Sequence, residues 1–407
     1  MESAVETEAR SGGDRHAKDL ALLSSAHAVT HIQPTLYPLI FPEAMQALGF
    51  GYAQIGLLVG AIGVIGGLLQ GVQGWLSRRF RRKALCGGGN LLLGLSIGLS
   101  GLAGSFAALL GLRLLATIAT SPQHPIGSSL LADWYPRKRR ASAFALHFSG
   151  GNLGTVLTPL VVGVLLPRVG WRHTLMLFGI PGVIVGLLFW LLADDRRPAA
   201  IRSRSEGAGA RTPYLAAARN PNVLALLLSR ALTSGGRGLG IILTYVPLYL
   251  LSGLRLAPST AGAFVAVLAA GSVISPLLAG RVADGLGRRR PVMIASLWIS
   301  AIATTGLART GASLPGILAA LIVLSLAVYN ESSLSQALLA EIVTDEERDG
   351  AFSLFYVVSF TGAAVWGVAI GLAIARFGFP AGFALMVSSY LLASVVLFFV
   401  REAAARP

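Results

Sequence analysis

Eight ionisable side chains stand inside otherwise apolar stretches of this sequence: His27, His31, His124 and His147, Arg113, Arg230 and Arg237, and Glu331. His27 and His31 are four residues apart in "HAVTH", which on a helix stacks them on one face. An imidazole titrates near neutral pH, so the pair suits a proton relay or an anion contact. In a second reading the rings only bond carbonyls across a helix interface. A metal would need a third ligand, and "HAVTH" has no glutamate of the HExxH kind, so none is expected. Arg230 and Arg237 are seven apart, again on one face. Arg237 lies in the Gly-rich "TSGGRGLG", where a helix can break or be closely approached. A guanidinium there grips carboxylate or phosphate as a fork. Arg230 is expected nearer the cytoplasmic interface, where its long stem can snorkel. Glu331, in "VYNESSLSQ", is the expected proton site, and a permanent ion pair with an arginine is its alternative. Gln33, Asn152 and the Pro122–Pro125 stretch are expected to line a cavity, with Tyr37, Tyr245 and Trp366 as aromatic walls or plain packing.

The elements that hold these groups follow from composition. Of 407 residues, 54% are hydrophobic and 13% charged, against about 25% charged in a soluble domain. Apolar runs long enough to cross a hydrocarbon core of ~30 Å recur from residue 20 to 400 and show no strand-like alternation. They predict an all-α membrane protein with twelve transmembrane helices, near 20–41, 52–76, 84–104, 106–134, 141–166, 171–192, 222–252, 258–282, 291–309, 314–342, 351–375 and 379–400. Of 33 Lys and Arg, five (Arg168, Arg172, Arg255, Arg309, Arg376) fall on one side and Arg113, Arg230 and Arg237 within spans; the other 25 share the side of the termini. The positive-inside rule therefore puts both termini in the cytoplasm, with the cell (inner) membrane as the expected location. The net charge of +15 is thus a topology signal, and nucleic acid is not an expected partner. A single cysteine excludes a disulfide scaffold and a Cys-cluster metal site. No cleavable signal peptide is expected, and no Walker sequence points to ATP.

The longest polar stretch, residues 193–219, reads as a cytoplasmic linker. It separates an N-terminal six-helix bundle (20–192) from a C-terminal one (220–400), flanked by cytoplasmic tails at 1–19 and 401–407. "GWLSRRFRRK" after the second span and "GRVADGLGRRR" after the eighth stand 206 residues apart and mark a duplicated unit, so the two halves are expected to be pseudo-symmetric.

"GRVADGLGRRR" is similar to the signature loop G-x-x-x-D-x-x-G-R-R of the major facilitator superfamily, through Gly280, Asp284, Gly287, Arg288 and Arg289. The resemblance runs from about residue 20 to 400 and implies the MFS fold, with those five residues as a gating motif. The first-half copy departs from the pattern, with Arg78 in place of the Asp and Arg81 in place of the second Gly. Arg113 falls where members carry a fourth-helix arginine, which favours a cavity-facing role over carbonyl bonding. "GGNLGTVLTPLVVG" partly matches the fifth-helix motif of antiporters. "SSAHAVTHIQPTLYPLIFPEAM", "HPIGSSLLADW" and "FALHFSGGNLGTVLTPL" resemble the fosmidomycin-resistance type of efflux protein, which usually has Glu where this chain has Ile126.

Three arginines and four histidines against one carboxylate in the spans predict an electropositive cavity suited to a small organic anion or zwitterion. The expected substrate contacts are Arg113, Arg237, His27, His31, His124, Gln33, Asn152 and Tyr245, with Glu331 and His31 carrying protons. The resemblance implies proton-coupled export; a monomer is expected, and no cofactor. Uptake or exchange of an organic anion by the same fold is one alternative, and a transport-inactive sensor or scaffold is another. No nucleophile–base pair or metal constellation emerges, so an enzyme is not expected.

Overall fold

The computed structural model describes residues 16–402 apart from 71, 73–75, 78, 136, 194–218 and 345–346. Arg78, the N-tail up to residue 15, nearly all of the linker and the tail beyond 402 lie outside the described residues. The rest is helical. The first span is α1 (Ala17–Thr30) and α2 (Gln33–Leu48), followed by α3 (Tyr52–Gln70) and α4 (Arg82–Ser100). The fourth span is α5 (Phe106–Thr120) with α6 (Gln123–Trp134). The fifth and sixth are α7 (Arg137–Leu192), broken at Gly170, whose φ of +71° no helix accommodates. The seventh is α8 (Pro221–Thr233), a π-helical turn (Gly238–Ile242), α9 (Leu243–Leu248) and a second π turn (Tyr249–Gly253). Then come α10 (Pro258–Leu286), α11 (Arg290–Arg309), α12 (Leu314–Val328) with α13 (Glu331–Ile342), α14 (Arg348–Phe377) and α15 (Phe379–Leu397). Twelve spans result, as expected. Seven described helices are long and apolar enough to cross a membrane.

The first, fourth, seventh and tenth spans are interrupted near their middles, at residues 31–32, 121–122, 234–237 and 329–330. Local chemistry accounts for three of the breaks. Pro34 and Pro122 lack the amide hydrogen a continuous helix would use. Gly235 and Gly236 let the rings of Trp366 and Tyr390 lie against the backbone, where a Cβ would come within 2.5 and 2.2 Å of them. The Tyr390 hydroxyl donates to the Gly236 carbonyl, and the Trp366 indole to that of Ala231 (3.0 Å). These bonds satisfy backbone groups that lipid could not. The breaks thus recur at every third span.

The chain separates into two compact units: residues 1–33, 69–157 and 169–208, and residues 34–68, 158–168 and 209–407. Unit 1 is held by glycines that bring α4 against the second part of α7. A Cβ on Gly94 would lie 2.4 Å from the Val183 nitrogen, and one on Gly186 2.3 Å from that of Leu91. Without a hydrophobic driving force between helices in lipid, such backbone approach supplies the packing. In unit 2, α3 meets α14 the same way, Gly56 against Gly371 and Gly63 against the Phe360 carbonyl. The outer face is apolar: Leu68 and Leu191 are each 71% exposed and Phe399 74%. A soluble protein does not expose such residues in bulk, and this is an integral membrane protein.

Candidate functional site

The polar groups collect at the interrupted spans. In unit 1 the break after α1 carries His27, His31 and Gln33, and the start of α6 carries His124. The His27 ring centroid lies 4.6 Å from that of His31, 4.9 Å from His124 and 4.2 Å from His147, on which it stacks. The approach is built into "GGNLGT". A Cβ on Gly151 would come 2.6 Å from the His27 ring, and one on Gly154 2.1 Å from the Ala28 carbonyl. His27 Nδ1 bonds the His147 carbonyl (3.1 Å), and His31 Nδ1 bonds the Thr155 hydroxyl (3.2 Å). His27, His31 and His147 are buried, and His124 is exposed. Arg113 is buried on α5 and donates to the Gln33 side chain, so the first and fourth spans meet through a cation. Asn152 is half-buried beside Gly151. Ile126 packs among Leu20, Leu23 and Leu130, an apolar site for the position at which the resembled subgroup carries a carboxylate.

Unit 2 joins its seventh and tenth spans through charge. Glu331, at the start of α13, accepts from Arg230 Nη1 and, at 2.6 Å, from the Ser335 hydroxyl. Arg230 donates from Nε to Ser359 (2.7 Å) and lies 4.6 Å over the Phe355 ring. Its side chain is 2% exposed, so the expected reach to the interface is not realised. The seventh span sets Arg230 across from the tenth, and one hydroxyl with one carboxylate meets its guanidinium there. Arg237 stands differently. Its Nε is 3.7 Å from the same Glu331 oxygen, and 27% of its side chain is exposed. The carboxylate is thus committed to Arg230, and the triad retains one net positive charge on its accessible member. Arg237's guanidinium carries further N–H donors in a fork that matches carboxylate geometry.

Ser335, Ser359 and Phe355 join the site beyond the residues the sequence singles out. Ser335 was legible, since it follows Glu331 by four residues on one helix face. Ser359 and Phe355 come from another span, and no local signal marks them. Tyr245 is buried with its hydroxyl donating to the Gly367 carbonyl at 2.7 Å, and Tyr37 is buried too. In the loop after α10, Gly287 ends the helix with a φ of +62°. Arg289 reaches Asp284 at 3.8 Å and Glu341 at 2.5 Å, and its amide and that of Arg290 donate to Glu402. Arg288 is exposed, and Gly280 faces open space.

A repeated three-span period, helices broken at mid-membrane and ionisable groups concentrated at the breaks define a polytopic membrane protein of the inverted- or parallel-repeat class. The chain belongs to the Major Facilitator Superfamily, whose sequence profile matches residues 23–274 and 238–407. It is 33% identical over 171 residues to a gallate transporter of Pseudomonas putida, across 40% of this chain and 36% of that one. It is 25% identical over 176 residues to a probable sulfoacetate transporter of Cupriavidus necator, across 43% and 41%. A membrane sensor protein of Salmonella typhimurium is 29% identical over 294 residues, 65% of this chain and 66% of that one. The chain thus spans about two fifths of the length of the first two of these relatives and about two thirds of the third. In fold it is similar to an inward-facing, occupied bacterial homolog of the human lysosomal transporter Spinster, with a TM-score of 0.78, 19% identity and coverage of 95% and 96%.

Proposed function

We propose that this protein is a secondary transporter of small organic anions that works by alternating access and couples their movement to protons. The observation that carries the proposal is the Arg230–Glu331–Arg237 triad. It is a buried ion pair with a second, accessible arginine left in excess at a helix break. A charged triad at bilayer depth is expensive and persists where it serves a pathway. The relatives' names agree with this chemistry, since gallate and sulfoacetate are both small organic anions. Arg237 is the primary substrate contact and Glu331 the proton site. Arg113 with Gln33 forms a further polar pair in unit 1.

The triad also bears on direction. An anion at Arg237 and the Glu331 carboxylate repel one another, so protonating Glu331 favours the anion, and by linkage the anion favours the proton. Proton and substrate then travel together, and an inward proton gradient drives uptake. The export expected from the fosmidomycin-resistance resemblance requires the two to exclude each other, so uptake, the alternative above, is the reading the triad favours. Proteoliposomes loaded at pH 8 and diluted into labelled gallate or 4-hydroxybenzoate at pH 6 should accumulate the label. Arg237→Ala should not, and a gradient of opposite sign should drive loss. Accumulation only in counterflow with outgoing protons would restore export.

A second reading, ligand sensing without net transport, is favoured by the match to a membrane sensor protein. Specific binding without flux or counterflow in the same vesicles would establish it.

A further inference from the structure

Two histidines in the first span would be a weak metal signal; the fold adds two more. One ring nitrogen from each of His27, His31 and His124 lies within 4.8 Å of the others. His147 stacks on His27, is fully buried, and neither of its ring nitrogens has a hydrogen-bond partner. Their surroundings fix the tautomers. His27 Nδ1 faces the His147 carbonyl, which can only accept, so Nδ1 carries the proton and Nε2 is a lone pair. That Nε2 is buried with no partner. The Thr155 hydroxyl lies 3.5 Å from the His31 carbonyl and 3.2 Å from His31 Nδ1; with its hydrogen on the carbonyl, its oxygen accepts from Nδ1–H and the His31 Nε2 is a lone pair too. Two neighbouring imidazoles thus donate Nδ1–H to a backbone carbonyl and a hydroxyl and keep Nε2 for something else. That outer-shell arrangement orients histidine ligands at metal centres.

We propose that His27, His31 and His124 form a binding site for a late first-row transition-metal cation, Zn²⁺ or Ni²⁺ in chemistry, with His147 as a fourth imidazole beside them. Neutral imidazoles suit these ions and not Mg²⁺ or Ca²⁺, which take oxygen ligands. Metal–nitrogen bonds of about 2.0–2.1 Å put tetrahedral ligand atoms roughly 3.4 Å apart, so from 4.8 Å the rings close by about 1.4 Å at most. His124, the exposed member, gives the ion its way in. A bound ion would clamp the first and fourth spans of unit 1 together.

The test uses the full-length protein, tag removed and stripped with chelator, titrated in detergent with Co²⁺ as a spectroscopic stand-in. The expected result is one Co²⁺ per chain with tetrahedral ligand-field bands, displaced by Zn²⁺. His124→Asn should weaken binding more than about tenfold, and Thr155→Val, which touches no metal, by about ten- to a hundredfold through the loss of its hold on His31. His173→Asn, outside the cluster, should change nothing. The proposal is overturned if the wild type binds no Co²⁺. It is equally overturned if binding survives both cluster variants, or if imidazole NMR shows only proton titration. None of these readouts depends on anion transport.

Discussion

Glu331→Gln isolates the charge that the triad account turns on. Glutamine keeps the shape and its amide can still meet Arg230 and Ser335, but the buried guanidinium loses its counter-charge, and the triad goes from one net positive charge to two. Glu331 lies 3.7 Å from Arg237. An anion seated beyond that guanidinium stands about 8 Å from the carboxylate, and at an effective dielectric of about 20 their repulsion is about 2 kcal/mol. Removing it should tighten binding roughly thirtyfold. The sign depends on pH. Where proton and anion bind jointly, wild-type affinity is highest in acid and falls as pH rises. The variant lacks the carboxylate, so its affinity should stay flat with pH and exceed the wild type in alkali. Calorimetric titration of purified protein with 4-hydroxybenzoate at pH 5.5 and 8.5 reads both quantities. In vesicles the variant should exchange substrate but no longer accumulate it under a pH gradient. Weaker binding than wild type at pH 8.5, or an unchanged pH dependence, would refute the reasoning.

Arg237→Ala removes the accessible fork and should weaken anion binding by about 1.5–3 kcal/mol, roughly ten- to a hundredfold; Arg237→Lys restores the charge without the fork and should recover only part, both by calorimetry. Arg230→Met leaves Glu331 buried without its principal partner and should destabilise the fold by about 3–5 kcal/mol, seen as a lowered thermal midpoint in detergent. The double variant Arg230→Met with Glu331→Met should recover that midpoint while losing proton coupling, because well-packed apolar replacements of a buried pair are near neutral. Gly94→Ala should cost about 1–3 kcal/mol, since its Cβ would sit 2.4 Å from a backbone nitrogen, whereas Gly98→Ala, whose nearest neighbour is 3.9 Å away, should be tolerated.

What the sequence discloses here divides by range. Spans are local, and apolar runs gave twelve crossings; the structure lengthens the first span to Leu48 through Pro38 and Pro42, which sit inside α2. Helix-face relations are local too, so His27 with His31 was readable. The Arg237–Glu331 contact was expected as an alternative on chemical grounds alone, because a lone intramembrane carboxylate needs a cation. Helix rotation and depth are not local. Arg230 therefore looked interfacial although it is the arginine closest to Glu331, and His124 and His147 carried no sign that they meet the first span. The exact place of the break in the seventh span is not local for the same reason: Trp366 and Tyr390, over 120 residues away, lie against Gly235 and Gly236.

The claim that proton and anion bind jointly at the triad is tested most directly by counting protons. Titrating the protein with 4-hydroxybenzoate in buffers of different ionisation enthalpy at neutral pH should show net proton uptake on binding, up to one per chain, and none in Glu331→Gln. Proton release on binding in the wild type would contradict it.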